Sequence, residues 1–297
     1  MEITTGFGLG VVCALGSALT WAVVSLLARN LSDQFNSITI NAIRSTLGGG
    51  IVLSLVLLQG GGAALLTLSP PVVVFLALSV LVAVGVGDTL FFEGTRTLGV
   101  PVAMTVSMSY PLITALLAVV LMGETLTLRL SLGILLTLGG LALIVTGGKS
   151  PEADRSDRSR FGLVAASVAA VAWAASALLM KPPLNEVDAV TATAVRLPLI
   201  SVALWSTPWT WDTVGRLRAS SRATWLAIAG LGGLTAVTTV MFAAGLKYAG
   251  VAVGTVLSST APLFSIPLGL WFSGERFHPA TAAGAIITVT GIALMQA

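Results

Sequence analysis

The chain has 297 residues, 56% of them hydrophobic and 9% charged, with a mean hydropathy of +0.98. No soluble domain of this size carries so apolar a surface, so the solvent around most of it is lipid. A net charge of +3 on 15 basic and 12 acidic residues is too thin for a nucleic-acid surface, and one cysteine (Cys13) with one histidine (His278) excludes a disulfide framework or a Cys/His metal centre within the chain.

Ten apolar runs follow in order, at 7–28, 38–58, 72–96, 100–122, 130–147, 161–180, 189–208, 223–247, 251–272 and 280–295. Each approaches the ~20 residues a helix needs to cross the hydrocarbon core. The alternation of a membrane barrel is absent, which leaves helices. The expected fold class is an all-α integral membrane protein of ten transmembrane helices. The first run has no basic residue before it and exceeds a signal-peptide core in length, so it is expected to be a retained helix.

In the first run Trp21 lies one turn from Ser17 and Ser25, and in the sixth Trp173 lies one turn from Ser176. Both are placed deep enough to line a cavity. Arg44 and Arg196, inside the second and seventh runs, need counter-charges. The third run carries Asp88 between Gly87 and Thr89. An unpaired carboxylate there costs about 2.5–3.5 kcal/mol on insertion scales. Asp88 therefore either binds a substrate amine or a coupling proton, or forms a structural ion pair with Arg44 or Arg196.

Pro111 and Pro262 fall near the middle of the fourth and ninth runs, where each weakens the helical bond of a carbonyl four residues earlier, at Ser107 and Ser258. Helical spacing puts Thr255, Ser258, Ser259 and Pro262 on one face, and Met104, Ser107, Met108 and Pro111 on its counterpart. The first wall is rich in hydroxyls and the second in thioethers, which suits an amphipathic ligand. The same residues also serve helix packing. Tyr110, beside Pro111, joins the binding candidates. Glu124 and Glu275 each follow a helix-ending glycine and read as structural caps of the next helix.

A charged stretch over residues 149–160 divides the chain into 1–148 and 161–297. A shift of 151 residues superposes Ser107 on Ser258, Pro111-Leu112 on Pro262-Leu263, and Gly133, Thr137 and Gly140 on Gly284, Thr288 and Gly291. Earlier in each half the shift is 152, pairing Trp21 with Trp173 and Arg44 with Arg196. Asp88 pairs with Thr239, so the halves cannot present identical chemistry. Two copies of five spans, an odd number, must enter the membrane from opposite sides. Such inverted repeats are a recurrent architecture of secondary transporters, with the substrate site near the midplane.

In these features the chain resembles the EamA-type transporters of the drug/metabolite transporter superfamily. The resemblance is carried by the duplicated layout, the paired Trp21/Trp173 and Arg44/Arg196, the stretch GDTLFFEGTRTLG at 87–99, and the mid-helix proline followed by Gly-Glu in both halves. It implies a central cavity lined mainly by the first, third, fourth, sixth, eighth and ninth helices, with the fifth and tenth as packing or dimer-contact elements. It also implies substrates among amino acids, nucleosides, drugs and related metabolites, usually exported.

The expected function is secondary transport of small polar or amphipathic metabolites across the cell (inner) membrane, without enzymatic activity, cofactor or metal. Expected partners are a small-molecule substrate, the bilayer, a coupled proton or counter-substrate and a second copy of the chain, but no nucleic acid. A flippase for a lipid or lipid-linked substrate is the alternative on the same scaffold. A membrane enzyme or a non-transporting scaffold ranks below it, since no nucleophile-base pair is evident. Without a Walker-type loop, ATP is not expected to drive it directly. Basic residues in the loops would place the termini outside the cytoplasm, whereas the resemblance implies the reverse.

Overall fold

The computed structural model describes residues 2–98, 103, 106–122, 127–147, 157–261, 263–264, 268 and 279–296. Among these the ordered elements are all helical. They are α1 (Glu2–Leu31), α2 (Ser37–Leu58), the short α3 (Gly62–Leu66), α4 (Pro70–Val80), a π-helical segment (Leu81–Asp88) and α5 (Thr89–Leu98). There follow α6 (Tyr110–Met122), α7 (Leu128–Gly147), α8 (Asp157–Glu186), α9 (Ala189–Trp205), a 3-10 turn (Pro208–Thr210) and α10 (Thr213–Arg218). The chain ends with α11 (Arg222–Ala249), α12 (Val251–Ser258) and α13 (Pro279–Gln296).

Local sequence sets the helix starts. Asn36 accepts the Thr39 amide at 2.8 Å, Asp188 accepts those of Val190 and Thr191 at 2.8 and 3.0 Å, and Ser221 accepts that of Thr224 at 3.2 Å. Each supplies a partner to a first-turn amide that has none inside its helix. Gly250, at φ +84°, closes α11 and opens α12 within one residue, a backbone state that glycine adopts without strain.

Five described helical stretches are long and apolar enough to cross a membrane: Gly6–Leu31, Ser37–Leu58, Pro70–Leu98, Arg160–Glu186 and Arg222–Ala249. A sixth arises if Ala189–Trp205 and Pro208–Arg218, bent by 86°, count as one broken span. The protein is thus an all-helical, multi-pass membrane protein. The fourth and ninth apolar runs lie partly outside the described residues, and the helices at the fifth and tenth, α7 and α13, are not among these stretches, which accounts for a number lower than the ten apolar runs.

Contacts in one half recur in the other with partners exchanged. A Cβ on Gly140 would lie 2.6 Å from the Gly284 carbonyl oxygen, and one on Gly291 would lie 2.7 Å from the Gly133 carbonyl oxygen. Gly10 abuts Ala249, and its counterpart Gly162 abuts Leu98. Ser107 donates to the Ala166 carbonyl at 3.0 Å, and Ser258 approaches the Ala14 carbonyl at 3.4 Å. In lipid such small-residue contacts supply the packing that a hydrophobic force supplies in water.

The same contacts fix direction. Gly10 puts the start of α1 beside the end of α11, and Lys247 near that end donates to the Val187 carbonyl just past α8 at 2.7 Å. Arg29 near the end of α1 donates to the Thr95 carbonyl in α5 at 3.1 Å, and the start of α8 meets the end of α5 through Gly162. The start of α1 therefore lies with the end of α8, and the two helices run in opposite directions.

Two segments depart from simple apolar runs. The third run contains a π-helical stretch, so a side chain at its end turns relative to an unbroken α-helix. Pro111 does not sit within a continuous helix. The chain makes a turn at residues 108–109 and Pro111 opens the first turn of α6, a position where its missing amide costs nothing. The second half has the same turn at residues 259–260, with Thr260 N to Leu257 O at 3.2 Å matching Ser109 N to Val106 O at 3.3 Å.

Candidate functional site

A cavity of about 120 Å³ lies where the halves meet. The first half contributes Ser17 and Trp21 from α1, Arg44 from α2, Val80, Ala83, Val84 and Asp88 from α4 and the π segment, and Met108 and Tyr110 around the turn before α6. The second half contributes Trp173 and Ser176 from α8, Arg196 and Leu197 from α9, Thr238, Thr239 and Phe242 from α11, and Ser258 from α12.

One hydrogen-bond chain organises the charged side. Arg44, 3% exposed, pairs with Asp88 Oδ2 and donates from Nε to Asn41 Oδ1 at 2.7 Å. Trp173 Nε1 donates to the other oxygen, Asp88 Oδ1, at 2.7 Å. Asn41 Nδ2 donates to Thr89 Oγ1 at 3.1 Å, and that hydroxyl donates to the Val84 carbonyl, five residues back in the π segment, at 3.1 Å. The π turn thus presents Asp88 to α2 and α8 together and satisfies one of its own carbonyls with the neighbouring threonine.

Gly87 permits this arrangement. A Cβ at that position would stand 2.6 Å from Trp173 Cδ1 and 2.7 Å from Nε1. Only a residue without a side chain lets the indole reach the adjacent carboxylate.

Aromatic rings pack against this charged cluster. Trp21 and Trp173 meet edge to face at 6.1 Å, Phe91 lies 5.2 Å from Trp173, and Tyr110 lies 5.8 Å from Trp173. The Arg44 guanidinium lies 5.5 Å from the Trp21 ring centre, within cation–π range. Tyr110 donates its hydroxyl to the Thr255 carbonyl at 3.1 Å, which ties the turn before α6 to α12.

Arg196, also 3% exposed, behaves differently from Arg44. Its Nε donates to Ser79 Oγ at 3.0 Å and its Nη2 approaches Ser176 Oγ at 3.5 Å. Among the described residues no carboxylate lies within ion-pair distance of it. Asp88 attracts it across the cavity, but both Asp88 oxygens are committed to Arg44 and Trp173.

Of the binding residues read from sequence, the cavity brings together Trp21, Asp88, Tyr110, Trp173 and Ser258. Arg44 and Arg196, read as structural ion-pair residues, line it too. Ser107, Pro111, Thr255 and Ser259 are buried but are not among the lining residues. Ser107 donates to α8, Thr255 to Val251 O at 2.8 Å, and Ser259 to Val256 O at 2.7 Å. Pro262, Glu124, Glu275 and His278 lie outside the described residues. Sequence reading passes over Ser79, Val84, Leu197 and Phe242; Gly85 and Gly87, two residues apart in an apolar helix, are the one local sign of the π turn.

A family model for EamA-like transporters matches residues 8–146 and 160–296. The chain belongs to the EamA-like transporter family. This family is part of the drug/metabolite transporter superfamily, and the protein is accordingly a membrane transporter. An uncharacterized transporter of Archaeoglobus fulgidus is 23% identical over 287 residues, covering 97% of this chain and 98% of the relative. A solved crystal structure superposes with a TM-score of 0.75 at 20% identity, covering 96% of each chain. That likeness concerns the fold alone. In this EamA-like chain the cavity is the place where residues of both matched regions converge.

Proposed function

We propose that this transporter is a secondary carrier that exports small amphipathic metabolites, amino acids or related compounds, across the cell's inner membrane by alternating access. The carrying observation is the cavity at the junction of two oppositely directed halves, where the Arg44–Asp88 pair and the indole rings of Trp21 and Trp173 lie together beside apolar side chains. Exchange of conformation between the halves would open that cavity to each side in turn. The carrier catalyses no covalent chemistry in this reading, and its energy comes from a coupled proton or counter-substrate gradient.

The cavity's shape of chemistry supports an amphipathic ligand. Guanidinium and hydroxyl groups satisfy a polar head, while Trp21, Trp173, Val84, Leu197 and Phe242 accommodate an apolar body. The test is uptake of a radiolabelled amino acid mixture into proteoliposomes, run beside a fluorescent-lipid scrambling assay. Saturable uptake without lipid scrambling is the expected result. Scrambling without uptake would replace the carrier with a flippase.

A further inference from the structure

Building on the carrier reading, we infer that the cavity selects a substrate by its carboxylate, which docks on Arg196 in place of an acid that the second half lacks. Arg44 and Asp88 form a buried pair in the first half, and the equivalent positions in the second half are Arg196 and Thr239. Thr239 bears no charge and donates its hydroxyl to the Thr235 carbonyl at 2.7 Å. The second half carries the cation without an acid at the matching position.

Arg196 is left with two neutral acceptors, the hydroxyls of Ser79 and Ser176, for five N–H donors. A guanidinium buried this deeply without an anion is destabilising, and an anionic ligand arriving from outside would relieve that cost. The planar fork matches a carboxylate in bidentate geometry. Two arginines against one aspartate give the lining a surplus of one positive charge, which a monocarboxylate cancels and an amine worsens. The apolar side chains of Val80, Val84, Leu197 and Phe242, all on the same cavity, then take the body of the molecule.

The experiment compares acetate, benzoate and phenylacetate with their neutral amides and with benzylamine. Purified full-length protein in detergent is followed by thermal stabilisation and by quenching of tryptophan fluorescence, since Trp21 and Trp173 line the cavity. At least one carboxylate should bind about tenfold or more tightly than its amide, and benzylamine should not bind. Thr239→Asp adds a second carboxylate to the same cavity lining and cancels its surplus positive charge, so it should fold and lose the carboxylate response. Arg196→Gln should melt no lower than the parent without ligand and also lose the response, whereas Arg196→Lys should retain part of it.

Equal binding of acids and amides, or no response to any carboxylate, would overturn the inference. So would a Thr239→Asp protein that folds and still prefers carboxylates, which keeps the test valid even if Arg196→Gln fails to fold. Carboxylate binding without transport would remove the carrier and leave the anchor. Transport with no carboxylate preference would do the opposite.

Discussion

Asp88 commits one oxygen to Arg44 and the other to Trp173, so its charge holds two helices and one indole at once. Asp88→Asn would retain an acceptor for Trp173 but leave Arg44 buried without a counter-charge. Breaking a buried pair on one side costs about 3–5 kcal/mol, and we predict a lower denaturation midpoint in detergent together with reduced transport. Unchanged stability would contradict the pairing. Gly87→Ala tests the neighbouring contact, because its Cβ must displace the Trp173 indole. Overpacking of this kind costs about 1–3 kcal/mol, and the tryptophan emission should shift as the indole leaves the carboxylate. Sequence reading could name Asp88, Arg44 and Arg196 as one charge problem, yet composition and spacing offered two arginines for one acid. Only the π turn, which aims Asp88 at α2, decides between them.

At the scale of elements, hydroxyl-bearing helices show where face arithmetic misleads. Spacing put Thr255, Ser258 and Ser259 on one face, but Thr255 and Ser259 return their protons to carbonyls of their own turn, which is the ordinary resolution for a hydroxyl in a membrane helix. Ser258 alone of the three reaches the cavity, with its oxygen 2.9 Å from that of Ser17. The α7–α13 contact is legible from small-residue spacing and is separate from the site. We predict that Gly291→Val, whose side chain would press on the backbone of Thr137 and Gly133, lowers thermal stability by about 1–3 kcal/mol without altering ligand affinity in the remaining folded protein.

The start of α9 makes a pH prediction. Burial pushes the Asp188 carboxyl up, but hydrogen bonds from the Thr191 side chain and from the Thr191 and Val190 amides outweigh it and hold the group below its ordinary value. A depressed carboxylate contributes its stability in full above its unfolded value of about 3.9, and loses it as pH falls through the lower folded value. Asp188→Ala should therefore cost about 1 kcal/mol at neutral pH, with the difference from the parent shrinking in acid. A difference that stays constant through the acid range would contradict the cap.

For the whole molecule, apolar run length and a repeat shift reveal the fold class because lipid imposes both: backbone groups must be satisfied within each span, and duplicated units must pack on each other. The substrate is less legible, since it depends on a few polar contacts whose partners come from helices far apart in sequence. The central claim is that the two halves face opposite ways around one shared cavity. Asp33, just past α1, and Asn185, its repeat counterpart near the end of α8, are both exposed. Single cysteines at these two positions, in a Cys13→Ser background, should react with a membrane-impermeant maleimide from opposite sides of the membrane in oriented vesicles. Labelling of both from the same side would contradict the opposed halves and, with them, alternating access through this cavity.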